Sequence, residues 1–263
     1  MPANDIQVAF SEEGSGAPTV LLIHGHPFNR SLWRPQIEFL RTRCRVIVPD
    51  LRGYGETAMA VGATETRLEQ FAADNLELMN ALGIEKFVLG GLSMGGQIVL
   101  EMYRQAPNRI QALLLADTFA GLDTPERKQM RFAIADRLEH DGMATYAYEE
   151  LTKMITTANA EREPNLAAHV MEMMVTTPPS GAAAALRGRA QRRDHLPMLR
   201  DISIPTLVVV GREDVYTPVV LAEQLVSGIC GAELVVIEEA GHLPNLERPV
   251  LFNDAVWSWM KTL

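Results

Sequence analysis

Lys86-Phe87-Val88-Leu89-Gly90-Gly91-Leu92-Ser93-Met94-Gly95-Gly96 is the stretch that decides the fold. It opens on an apolar run of strand length and turns at a serine with a glycine two residues to either side. It then continues into a segment, through Leu100, Met102 and Tyr103, that reads as a helix ending before Pro107. A serine at so tight a strand-to-helix turn is held at the C-terminal edge of a sheet with its hydroxyl clear of the walls. The small flanking residues let the two backbones approach. The Gly-x-Ser-x-Gly pattern alone is weak, but with a strand before it and a helix after it Ser93 becomes a candidate nucleophile. The first N–H groups of the following helix have no partners inside it. The Met94 N–H is therefore expected to donate to an oxyanion that develops at the serine.

Working outward, strand candidates are Ile6–Phe10, Thr19–Ile23, Arg45–Val48, Lys86–Leu89, Ala112–Ala116, Thr206–Val210 and Leu234–Ile237. Several are apolar at consecutive positions, as parallel strands covered on both faces must be. Helical stretches separate them. One carries Leu68, Phe71, Ala72, Leu76, Met79 and Leu82 on a single stripe and stops at Gly83, and another spans about Pro249 to Lys261. The alternation predicts an α/β fold with a doubly wound, mostly parallel β-sheet. One region breaks it: from 119 to 199 there is helical pattern without a convincing strand, rich in methionine (Met130, Met143, Met154, Met171, Met173, Met174, Met198). The expected organisation is a core of residues 1–118 and 200–263 with residues 119–199 inserted as a helical cap. Some of its methionines would form an adaptable apolar wall over a pocket.

A serine nucleophile needs a base, and the base needs an acid to orient it. His242, in Ala240-Gly241-His242-Leu243-Pro244, follows the last strand and reaches the same sheet edge as Ser93. Asp214 follows the strand 206–210 and is the preferred acid, with Asp117, one strand away, as its rival. His24 reads as a structural hydrogen-bonder, and His140, His169 and His195 as polar surface or capping residues of the insertion. In His24-Gly25-His26-Pro27-Phe28, the His26 N–H is the expected second oxyanion donor, because Pro27 has none to give. Phe28, Trp33 and Phe119, near C-terminal strand ends, and Met171 and Met174 of the insertion are candidate pocket walls.

The chain has 263 residues, a formal net charge of -9 and two cysteines. The acidic balance disfavours nucleic acid and anionic membranes as partners. Cys44 and Cys230 read as free thiols rather than a disulfide framework. Met1–Phe10 has neither a cationic start nor an apolar run, and no apolar run approaches the roughly 20 residues of a membrane span, so a cytoplasmic protein is expected. Nothing in the sequence speaks to oligomeric state.

With these residues placed, the sequence resembles the α/β-hydrolase superfamily over essentially its whole length. The carrying segments are His24-Gly25-His26-Pro27 through Trp33-Arg34-Pro35-Gln36, Asp50-Leu51-Arg52-Gly53-Tyr54-Gly55, Gly91-Leu92-Ser93-Met94-Gly95-Gly96 and Gly241-His242. It looks most like small cofactor-free esterases, perhydrolase-like esterases and 3-oxoadipate enol-lactonases. Ser93 stands where haloalkane dehalogenases and soluble epoxide hydrolases carry an aspartate nucleophile, which excludes their alkyl-enzyme route. The glycine-rich oxyanion loop of the hormone-sensitive-lipase group is absent, and the Gly/Pro-rich segment of C–C hydrolases is not closely matched. The resemblance implies a serine hydrolase for a small to medium apolar ester or lactone, working without metal or organic cofactor. C–C cleavage or perhydrolysis on the same residues is one alternative, and a slow-turnover receptor is another.

Overall fold

The computed structural model describes residues 1–263. Seven strands form one sheet: β1 (Phe10–Glu13), β2 (Thr19–Ile23), β3 (Arg45–Pro49), β4 (Phe87–Leu92), β5 (Ile110–Ala116), β6 (Thr206–Gly211) and β7 (Glu233–Ile237). Their order is β1-β3-β2-β4-β5-β6-β7, and every pairing is parallel except that of β1 with β3. The strand expected at Ile6–Phe10 is instead split. Ile6–Gln7 pairs with Pro2–Ala3 in a two-stranded ribbon, and the sheet's edge strand begins at Phe10. The physical reason is that an edge strand is buried on few sides, so Phe-Ser-Glu-Glu serves and leaves no apolar signature to read.

Alternation along the inner strands builds two cores. Leu21, Ile23, Ile47, Leu89, Leu113, Leu115, Val208 and Val210 pack into one apolar cluster. Val20, Leu22, Val46, Val48, Val88, Leu114, Leu207 and Val209 pack into a second on the opposite face. Helices α2 (Leu68–Ala81), α3 (Met94–Gln105) and α9 (Val219–Gly228) cover the first, through Phe71, Ile98 and Leu225 among others. Helices α1 (Arg34–Leu40) and α11 (Pro249–Met260) cover the second, through Leu40, Phe252, Val256 and Trp259. Each Leu, Ile, Val or Phe buried in this way contributes about 1.5–3 kcal/mol. No helix is long and apolar enough to cross a membrane.

Between β5 and β6 the chain is helical: α4 (Pro125–Asp141), α5 (Met143–Met154), α6 (Thr157–Arg162), α7 (Pro164–Thr176) and α8 (Pro179–Ala190). α4 packs on α8, and α5 on α7. Ala135, Leu138, Met143, Tyr146, Ala182, Ala183 and Leu186 form a small apolar cluster of their own there. The insertion is nevertheless fastened to the core by buried polar groups. His195, expected at the surface, is buried, and its Nε2 lies 3.0 Å from Glu101 Oε2 in α3. The reason is charge: Glu101 is itself fully buried and collects hydrogen bonds from His195, Arg104 and Gln105.

Burial raises the Glu101 pKa, but the bonds from His195, Arg104 and Gln105 outweigh it and hold the carboxyl at about 2. A depressed carboxylate pKa stabilises the fold above the unfolded value and is lost as pH falls through the folded one. Glu101→Gln should therefore lower Tm at neutral pH and flatten its fall between about pH 4 and pH 2, read by thermal denaturation across pH.

Candidate active site

The register of the parallel strands brings their C-terminal ends level: Ile23 with Gly91, Leu92 with Ala116, Ala116 with Val209, and Gly211 with Ile237. Ser93 follows β4 at once, with φ 58° and ψ -117°, a left-handed backbone that non-glycine residues adopt only when their surroundings compel it. Packing compels it here. A Cβ on Gly91 would come within 2.4 Å of the Gly95 carbonyl oxygen, and one on Gly95 within 2.2 Å of the Ile23 carbonyl oxygen. The turn is closed from outside by Ser93 N–H donating to Ala116 O (2.9 Å) and Thr118 Oγ1 donating to Ser93 O (2.7 Å).

His242 Nε2 lies 2.8 Å from Ser93 Oγ, and His242 Nδ1 lies 2.8 Å from Asp214 Oδ2. A carboxylate only accepts, so Nδ1 carries the proton and donates to Asp214, leaving Nε2 to accept from the serine hydroxyl. Asp214 also accepts from the N–H groups of Tyr216 (2.8 Å) and Thr217 (3.1 Å) and from the Thr217 hydroxyl. Burial pushes its pKa up, but the charge and hydrogen bond of His242 and the bonds from Thr217 bring the net direction below the usual carboxylate range. The Tyr216 ring stands edge-on to the imidazole, centroids 5.2 Å apart.

Asp117 sits beside this pair. Its Oδ1 accepts from Gly211 N–H (2.9 Å), and its Oδ2 is buried without a partner. Burial first, then the neighbouring Asp214 charge, push its pKa well above the ordinary range. A carboxyl that resists ionisation and makes no bond to the imidazole is a poor orienter of it. Asp117, Asp214 and His242 are also the one grouping whose ligating atoms, all within 4.8 Å of one another, could hold a metal. Both nitrogens of His242 are already engaged by Ser93 and Asp214.

The loop after β2 faces the serine directly: a Cβ on Gly25 would lie 2.9 Å from Leu92 O and 3.1 Å from Ser93 Cβ. Neither the His26 nor the Met94 backbone N–H has a hydrogen-bond partner in the chain. His24 Nε2 accepts from Leu51 N–H (3.0 Å), so its Nδ1 donates to Gly25 O (2.8 Å); this histidine stiffens the loop. His26 Nδ1 meets the Tyr54 hydroxyl at 2.8 Å.

A cavity of about 190 Å³ opens over Ser93 and His242, lined on the core side by His26, Tyr216 and Thr217. Of the expected pocket walls, Phe119 lines it. Phe28, Trp33 and Met174 do not, because they are wholly buried in the second core, and Met171 packs against that same core. Their bulk is spent filling the junction of sheet and helices. The methionines at the cavity are Met130 and Met154, beside Ile134, Tyr146 and Leu186. Sequence reading missed the cations on the same wall, Arg127, Arg131, Lys153 and Arg189. On an amphipathic helix an arginine reads as solvated surface, and only the fold turns it inward.

It also missed Glu247 of α10 (Pro244–Glu247). This buried carboxylate accepts from Gly241 N–H (2.7 Å), next to His242, and from Thr156 N–H (2.8 Å) and Asn159 Nδ2 (2.6 Å) at the start of α6. It fixes the loop that carries the imidazole and the insertion above it with the same two oxygens.

Residues 18–249 match the family model described as the alpha/beta hydrolase fold. The chain is 28% identical to 3-oxoadipate enol-lactonase 1 of Acinetobacter baylyi over 247 residues, 94% of this chain and 90% of that one. Among solved structures it resembles a thermophilic esterase from Thermogutta terrifontis, described with malate bound. The TM-score is 0.94 at 38% identity, over 98% of this chain and 94% of that one. It also resembles the enol-lactonase from Burkholderia xenovorans, with a TM-score of 0.91 at 28% identity over 98% of each chain.

Two outcomes are expected of this geometry. Glu247→Ala takes the acceptor from the buried Gly241 N–H, from one of the two Asn159 amide N–H bonds and from the half-buried Thr156 N–H, at about 1–3 kcal/mol for a buried donor left unpaired, and should shift the urea midpoint accordingly. Asp117 with a raised folded pKa keeps a proton that the unfolded chain releases, so its stability contribution is lost as pH rises above the unfolded value. Asp117→Asn should then raise Tm, with a gain that grows by up to about 1.4 kcal/mol per pH unit from pH 4 upward; a gain that shrinks with pH would show Asp117 to be ionised.

Proposed function

This chain belongs to the α/β-hydrolase family, and from that premise we propose that it is a serine hydrolase that cleaves a carboxylic ester or lactone through an acyl-enzyme. The observation that carries the proposal is the continuous relay Ser93 Oγ to His242 to Asp214, 2.8 Å at each step, at the floor of a cavity. In this reading Ser93 attacks the carbonyl carbon while His242 Nε2 takes its proton. Asp214 holds the tautomer and stabilises the imidazolium. The unpartnered N–H groups of Met94 and His26 receive the oxyanion, and loss of one such donor commonly costs about 3–4 kcal/mol of barrier. His242 gives its proton to the leaving alkoxide, then draws one from the water that frees the acid from Ser93.

The names of the relatives, an esterase and two enol-lactonases, support an acyl–oxygen bond as the one broken. The cavity volume, a little above the ~150 Å³ that encloses benzene, favours a short acyl or lactone portion. Residues 119–199 act as its roof.

Turnover of short-chain p-nitrophenyl esters and simple lactones should fall by at least about 10³-fold in Ser93→Ala. Asp214→Asn should cost on the order of 10⁴, while Asp117→Asn retains most of the rate. Unchanged turnover in Ser93→Ala, or a pattern reversed between the two aspartates, would sink the respective assignment.

A further inference from the structure

The imidazole of the relay is held at its ring, by Asp214 and Ser93, but not at its own backbone: neither the N–H nor the carbonyl of His242 has a hydrogen-bond partner in the chain. The loop is fixed on either side of it instead. Before His242, Ala240 O accepts from Glu213 N–H at 2.9 Å, and Gly241 N–H donates to Glu247 Oε1 at 2.7 Å. After it, Leu243 O accepts from Leu246 N–H and from Glu247 N–H, each at 2.9 Å. Glu247 therefore grips the loop on both sides of the base, by its side chain before it and by its backbone after it.

The other oxygen of the same carboxylate reaches the roof. Oε2 accepts from Thr156 N–H at 2.8 Å and from Asn159 Nδ2 at 2.6 Å, and Asn159 Nδ2 also donates to Glu239 O at 2.9 Å. The His242 loop is thus tied at two points to segment 153–159 of the insertion. That segment carries Lys153 and Met154, which line the cavity, at its start. Gly241 is pressed against it: a Cβ there would come within 3.3 Å of Thr156 N and of Glu247 Oε1. On the other side, a Cβ on Gly211 would lie 1.9 Å from Gly241 O, so the end of β6 blocks retreat.

Only a carboxylate serves in this place. The groups at its two ends are all N–H donors, and a carboxylate meets them with two accepting oxygens. A glutamine of the same shape has one, so its NH2 must face either the Gly241 N–H or the Thr156 and Asn159 donors, and one end of the strut opens. A buried carboxyl with neutral donors alone is an expensive way to stabilise a fold, and one that grips both neighbours of the base points to another use.

We infer that Glu247 is a positioning residue: it transmits the seating of segment 153–159 to His242, so that Nε2 stands 2.8 Å from Ser93 Oγ only while the roof is in place. The inference rests on the hydrolase reading above. Glu247 acts through the backbone of Gly241 and Leu243 rather than on substrate. A reacting group misplaced by about 1 Å can cost on the order of 10² in rate, so a small lapse in the strut is enough. The inserted segment then both walls the space for substrate and sets the base that works there.

The test measures p-nitrophenyl acetate hydrolysis in wild type, Glu247→Gln, Asn159→Ala and the double variant. Tm and the proton resonance of His242 Nδ1–H without substrate are read in parallel. Glu247→Gln should lower kcat by about tenfold or more, change KM by less than about twofold, and shift or broaden the resonance. Asn159→Ala opens the roof end and removes no residue from the cavity lining. It should move kcat and the resonance in the same direction, and the double variant should lose little beyond Glu247→Gln. A lower Tm with kcat within about twofold of wild type and an unmoved resonance in both single variants would make the strut purely structural and overturn the inference, as would additive losses in the double variant. Should Glu247→Gln fail to fold, Asn159→Ala decides on the same two readouts. If wild type shows no Ser93-dependent turnover, the hydrolase reading falls, while the resonance, which needs no substrate, still decides whether Glu247 holds the imidazole.

Discussion

Ser93 is held at positive φ by backbone pressed against backbone, and the remainder of the site is arranged around that turn. Gly91, Gly95 and Gly25 are the points at which strand, helix and neighbouring loop come too close for a side chain. Such a turn would relax if its surroundings were soft. It is set in the middle strand of seven, where parallel pairing on both sides and two apolar cores fix the ends of β4 and its neighbours. The sheet's rigidity is thus converted into the position of one hydroxyl.

What surrounds the hydroxyl is set by a different kind of force. Asp214 and Asp117 are adjacent buried carboxyls, and both cannot ionise cheaply in so little space. Asp214, with an imidazole and three N–H or O–H donors, is the better home for the negative charge; Asp117, with a single backbone donor, has its pKa pushed well above the ordinary carboxylate range. Above them the sign reverses, and the cavity wall is cationic. The two layers give a field that points from the roof to the floor across the space a substrate would occupy.

The sheet was legible in the sequence because its strands are buried on both faces and so read as unbroken apolar runs, and the Ser, Asp, His order follows from where those runs end. β1 was not legible, since Phe10–Glu13 carries no pattern that burial would impose. The geometry of Ser93, His242 and Asp214 follows local cues of one to five residues past a strand end. The walls do not, because wall residues are chosen by how five inserted helices lie on the core. Trp33 and Phe28 have the chemistry of pocket walls and the position of core, whereas Arg189 has the chemistry of surface and lines the cavity. Glu247 is one of many glutamates until the fold brings Gly241, Thr156 and Asn159 to it.

That last carboxylate has a bearing on how such proteins diversify. Glu101 grips the exit of the insertion and Glu247 binds its middle to the loop of the imidazole, whereas Asp123 ties the insertion to itself through Arg131 and Arg192. A crossover at the ends of the insertion, the natural place to graft a foreign roof, would sever acceptor from donor at Glu101 and at Glu247. Recombination between homologues is then tolerated only when Glu101, Glu247 and their partners travel together, so the inserted helices and the loop of His242 are inherited as one unit although two β-strands and one helix separate them in the chain.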